Sequence, residues 1–316
     1  MSGSEVSLSR SNISRMQPKK IFSKHKSPIN SMEFSADGTK IVTTAENNHI
    51  SVYDVEEGCV DKVINSDIYG AGHVCWGAHR EIILVSSTLK DNHVRYLSLY
   101  DNKCLRIFSG HEEKVTGMVL SAERDRLLTC SDDKNFRVFD IRVNECTHIM
   151  KCDATPLVAI DPEGLVIAVG LESTTMRLYD FRNITAGPFE KFPFDSPPAR
   201  TWTKLKFSPL GNQIMVNTNT PTVMLIEAFN ASYNYILNDV IPGLHEVKGN
   251  FFSDYSTDER FLFTGGPNGV VSVFETKDGN KFTELKSKHR GHVTHTLFNP
   301  LYRVMATASD ELHLWS

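Results

Sequence analysis

The chain has 316 residues, of which 40% are hydrophobic and 23% charged, with a formal net charge of −4 at pH 7. That length can bury a large core, and the charge balance offers no broad basic surface, so no direct sequence-specific nucleic-acid binding is expected. Six cysteines without a CxxC pair argue against both a cysteine zinc site and a disulfide framework and suit a reducing compartment.

The opening stretch, MSGSEVSLSRSNISRMQPKK, has no apolar run. Residues 1–17 read as a flexible Ser-rich segment, neither signal peptide nor anchor, and no later stretch approaches the roughly 20 apolar residues that span a bilayer. No membrane contact is expected. A short strand, Lys19 to Phe22, comes next.

Then begins a unit that returns along the chain. HKSPINSMEFSADGTKIVTTAENNHISVYD starts at His25, places Ile29 four residues on, and closes on Tyr53-Asp54. HEEKVTGMVLSAERDRLLTCSDDKNFRVFD repeats the plan with His111, Val115 and Phe139-Asp140, and the last unit opens with His289 and Val293. Closing positions fall at Asp54, Asp101, Asp140, Asp180, Glu227, Glu275 and Ser316, in steps of 47, 39, 40, 47, 48 and 41 residues. A four-stranded propeller blade takes roughly 40–45. Short β-branched runs such as KIVTTA, RLLTCS and FLFTGG, bounded by ADG, PEG and PNG turns, supply the strands.

The reading is all-β, a single seven-bladed propeller over residues 18–316. The last unit stops at LHLWS without a fourth strand, while the first has a spare strand in front. The N-terminal strand is therefore expected to pair with the last blade and close the ring, removing two exposed edges. Loss of residues up to Phe22 should harm folding, and loss of only the first ten or so should not.

Chemistry is sparse. There is no phosphate loop and no GxSxG elbow. HRGHVTH places His289, His292 and His295 at three-residue steps, but a strand sends an offset of three to opposite faces. No catalytic residue, cofactor or metal site is expected. Asp133 lies in the turn between second and third strands, where a side-chain carboxylate bonds nearby backbone, and Asp54, Asp101, Asp140 and Asp180 read the same way as structural residues.

The segment HVRYLSLYDNKCLRIFSGHEEKVTGMVLS, with MRLYDFRNITAGPFEKF, WTKLKFSPLGNQIMV and LFNPLYRVMATAS, resembles the WD repeat-containing protein 82 family from about residue 13 to the end. The chain is a divergent relative by this reading, because blades five and six close on Glu and several blades lack the closing Trp. The resemblance implies a WD-repeat propeller in which His25, His111 and His289 tie turns to strands. It also implies a nuclear, non-catalytic adaptor in SET-domain histone methyltransferase complexes. Further partners implied are protein phosphatase 1 with its nuclear targeting subunit, acting in transcription termination, and RNA polymerase II with a phosphorylated C-terminal domain. A phosphorylated tail would need basic donors. Lys26, Lys114, Lys134 and Arg290 fall in loops of one rim, and Arg95, Tyr96 and Trp202 are candidates for a partner surface. The alternative is a substrate receptor of a cullin-based ubiquitin ligase, on the strength of FDIR (Phe139 to Arg142) and YDFR (Tyr179 to Arg182).

Overall fold

The computed structural model describes residues 8–23, 27–194, 201–220, 222–230, 233–238 and 250–316. His25 and Lys26 lie outside them. The described strands form seven antiparallel sheets of four, six of them built from four consecutive strands. The inner strands run Ile29–Phe34, Val74–Trp76, Val115–Leu120, Leu157–Ile160, Trp202–Phe207, Asp254–Tyr255 and His295–Phe298. Neighbouring inner strands meet around a central channel, with Ile29–Phe34 touching both Val74–Trp76 and His295–Phe298.

Alternation along the strands explains the packing. In the second and third strands of each blade both faces are covered by neighbouring blades, so KIVTTA and FLFTG are buried almost throughout. The outer strand Cys59–Asn65 alternates exposed and half-buried. Buried apolar side chains fall into seven clusters, one in each seam between successive blades. The seam that closes the ring joins Ile29, Ile41 and Tyr53 of blade one to Phe22, Ala306, Leu312 and Leu314 of blade seven.

The closing strand is where the sequence places it. Pro18–Phe22 pairs antiparallel with Leu312–Trp315, Phe22 opposite Leu312 and Pro18 opposite Trp315, as the fourth strand of blade seven. What precedes it differs from expectation. From Leu8 onward the supposed flexible segment is folded onto the ring: a helix, Arg10–Ser14, capped by Ser9, buries Ile13. Leu8, Ile13 and Met16 join Phe261, Phe263, Val293 and Trp315 in the seam between blades six and seven. The Leu8 N–H donates to Asp258, and Arg10 grips Glu275 through two bonds of 2.6 and 2.9 Å. Leu8, at 1% exposure, lies among the first ten residues, so their removal is expected to cost stability.

Candidate functional site

Each blade presents two rims. The upper rim carries the turn between second and third strands and the link into the next inner strand; the lower rim carries the other two turns. Functional side chains are placed by this repeat.

On the upper rim of blade three, His111 sits between its neighbours as a relay. His111 Nδ1–H donates to the Asp133 carboxylate at 2.8 Å, which leaves Nε2 to accept from the Thr129 hydroxyl at 2.8 Å. Burial pulls His111 below its ordinary value, with Asp133 opposing. Burial would raise Asp133, but bonds from His111 and the Glu112 and Asn135 N–H groups outweigh it and hold the carboxyl low. Asp133→Ala would strand a buried N–H, and we expect a loss of about 2–3 kcal/mol in urea unfolding. A change below about 0.5 kcal/mol would show that the relay is not what holds this turn.

Blade seven uses the same relay with different partners. His289 meets Thr307 at 3.0 Å and Ser309 at 3.2 Å, and Trp315 donates to Thr307 at 2.9 Å. Of the three histidines in HRGHVTH, His289 is therefore tied between strands. His292 is exposed beside Phe251, and His295 lies at the channel. A different trio, His289, Glu311 and His313, brings its ligand atoms within 4.8 Å of one another. The two imidazoles stack at 3.5 Å with planes 5° apart. A cation in the plane of one ring would lie off the lone pair of the other, so the pair does not chelate.

The closing aspartates face the lower rim and hold their own turns. Asp54 accepts from the Glu57 N–H, and Asp101 pairs with Lys103. Asp140 takes the backbone and guanidinium of Arg142, and Asp180 does the same with Arg182. The FDIR and YDFR patterns thus have a local explanation, a turn locked by Asp and Arg two residues apart.

Of the basic rim candidates, Lys114, Lys134 and Arg290 are exposed on the upper rim, and among the described residues none is held in a salt bridge. The other three partner candidates are displaced by burial. Arg95 is 7% exposed, forks onto Asp91 at 2.9 and 2.6 Å, contacts Ser87, and lies 3.6 Å over the Tyr69 ring. This bolts the loop Ser87–His93 to the preceding link, where the Thr88 and Leu89 N–H groups also bond to the Tyr69 carbonyl. Tyr96 packs edge-on to Phe108, and Trp202 packs edge-on to Phe194 inside the seam of blades four and five. These are corrections: the aromatic and Arg side chains that mark the chain as distinctive act inside blade two and a seam, not on a free surface.

Sequence reasoning missed the channel mouth. Here the Asn30 amide donates to the Ala71 carbonyl, and His295 Nε2 donates to the Asn30 carbonyl at 3.2 Å. The Phe252 ring lies 4.6 Å from His295, and the Lys204 ammonium 5.4 Å from Phe252. Blades two, one, seven, six and five are joined in one belt. Deeper in, Lys206 pairs with Asp254, which also accepts from the Tyr255 and Phe298 N–H groups. Glu33 accepts from the Trp76 N–H at 2.9 Å, and burial pushes its carboxyl up to about 7 against the pull of Arg124. The available signal was period two: in TKLKF and NSMEF the polar residues alternate with the seam residues.

Comparison with known proteins supports the blade reading. A family model described as "WD domain, G-beta repeat" matches residues 16–54 and 102–140. The chain is 35% identical over 301 residues to "WD repeat-containing protein 82" of Drosophila melanogaster, covering 94% of this chain and 92% of that protein. It is 26% identical to "Set1 complex component swd2" of Schizosaccharomyces pombe, with 97% and 91% covered. It is 24% identical to "COMPASS component SWD2" of Saccharomyces cerevisiae, with 98% of each covered.

Proposed function

This chain belongs to the WD repeat-containing protein 82 family, and we propose from that membership that it is a non-catalytic scaffold subunit of a Set1/COMPASS-type histone H3 methyltransferase complex. The observation that carries the reading is coverage. Two relatives named as Set1 or COMPASS components align along 97% and 98% of this chain, so the whole ring is shared and not a single repeat. The physical role suits the fold, since a closed ring of strands holds two sets of loops rigidly and can engage extended segments without moving.

The finer reading places the protein in the nucleus and gives it protein phosphatase 1 with its nuclear targeting subunit as a second assembly. It also gives it the phosphorylated C-terminal domain of RNA polymerase II as a contact. The exposed cations Lys114, Lys134 and Arg290 support the last of these, because phosphate recognition needs unpaired basic donors. Among the described residues no helix is long and apolar enough to cross a membrane.

The test is affinity purification of the tagged full chain from nuclear extract at low salt, with the captured proteins identified by mass spectrometry. Recovery of a SET-domain methyltransferase with its core subunits is the expected result. Protein phosphatase 1 without a methyltransferase would move the function to transcription termination. Cullin subunits with neither would defeat the proposal and leave the propeller as the shared feature.

A further inference from the structure

Among the described residues, the belt at the channel mouth contains a cation held in no salt bridge, Lys204. Lys204 stands on the inner strand of blade five, solvent-accessible yet surrounded by the other blades, and its described contact is the face of Phe252. Lys206, two residues on, faces the same channel but is neutralised by Asp254. Lys114, at the head of blade three's inner strand, is exposed and makes no ion pair with a described residue, and His73, at the head of blade two's, is half-buried with no described bond to its ring. Donors therefore line the opening from several sides, while the two carboxylates that attract Lys204, Asp254 and Glu33, are engaged below with Lys206 and the Trp76 N–H.

We propose that the upper mouth of the channel is a binding site for a phosphate dianion, with Lys204 as its principal ligand and His73 and Lys114 beside it. In a chain of net charge −4, Lys204 and Lys114 at the heads of the inner strands raise the positive potential at the opening. The neighbours register that potential. His73 is pushed down to about 4 by burial, then by Lys204 and Lys114, and His295 to about 3 by burial, then by Lys204. Lys204 itself lies below its ordinary value through enclosure and the repulsion of Lys206. An anion at this point relieves all of these at once. His295, bonded on both ring nitrogens to Asn30 and Thr294, shapes the wall and does not ligate.

Because Lys204 sits on the channel wall, the ligand enters end-on, which selects a single phosphate group, whether of a free polyphosphate or of a phosphorylated side chain. The site stands on Lys204 and does not depend on the methyltransferase assembly, while its phosphorylated-side-chain form shares Lys114 with, and rests on, the polymerase-tail reading above.

Titration calorimetry of the purified full chain with inorganic pyrophosphate and, separately, with O-phosphoserine tests it. Binding at 50 mM salt is expected, tenfold or more weaker in Lys204→Gln, kept within about threefold in Lys204→Arg, and unchanged in Lys191→Gln, whose lysine lies exposed on the outermost strand of blade four. Tighter binding of pyrophosphate points to a free anion, and tighter binding of O-phosphoserine to a modified side chain. Thermal unfolding of each variant shows that it folds, and if Lys204→Gln does not, Lys204→Met replaces it. No heat with either probe, or equal affinity in the glutamine variant and the wild type, would overturn the proposal.

Discussion

Removal of residues 1–22 is expected to abolish folding, and removal of 1–17 to cost most of the stability of the ring. The longer deletion takes out the fourth strand of blade seven, leaves Leu312–Trp315 as a bare edge, and removes Phe22 from the closing seam. The shorter one spares the strand but strips Leu8, Ile13 and Met16 from the seam of blades six and seven. Burial of such side chains contributes about 1.5–3 kcal/mol each, so the three together approach the roughly 5–15 kcal/mol that holds a domain folded. Ile13→Ala isolates the effect at about 2–5 kcal/mol, the cost of a large-to-small change at a site that cannot collapse. The exposed Arg10–Glu275 pair should matter little beside it. Urea unfolding of the deletion and of Ile13→Ala decides the matter. A 1–17 deletion with the midpoint of the full chain would mean that the helix is an ornament of the ring.

The parts of this architecture that sequence reveals are those that repeat. Seven closing positions near 40 residues apart define the blades, because each blade spends the same four strands and the same turns. The ring closure was legible for the same reason: a last unit one strand short and a first unit one strand long add to one blade. The helix Arg10–Ser14 was not, since five residues make too short a window for helical periodicity, and Ser-rich neighbours concealed three apolar anchors. Arg95 shows another limit. Its strand position was clear, but whether a distinctive Arg faces a partner or folds back depends on Asp91 and on Tyr69, which reaches it from the preceding link. The channel mouth depends on distance along the chain in the same way, for Lys204, Phe252 and His295 meet only once the ring has closed.

Those buried histidines should also make stability fall with acid well before the carboxylates titrate. His289 is held down to about 3 by burial and then by stacked His313, and His295 to about 3 by burial and then by Lys204. A histidine with a depressed folded value stabilises fully above its unfolded value near 6.5 and loses that stabilisation as pH falls toward 3. At pH 5 each has given up about 2 kcal/mol, and His73, half-buried at the channel mouth, adds a smaller loss of the same sign. Glu33 works the other way. Its carboxyl, raised by burial to about 7, favours the folded state in its protonated form, a contribution present below 4.5 and lost as pH rises through 7. Between pH 5 and 7.5 that offsets about 2 kcal/mol of the histidine gain. The chain should therefore be more stable at pH 7.5 than at pH 5 by at least about 2 kcal/mol. Glu33→Gln, which keeps an acceptor for the Trp76 N–H, should steepen the dependence to about 4 kcal/mol by raising stability at pH 7.5 and changing little at pH 5. Urea midpoints at the two pH values for both proteins give all four numbers. A flat profile in the wild type would refute the buried neutral histidines, whereas a steep one unaltered by Glu33→Gln would place the opposing proton on some group other than Glu33.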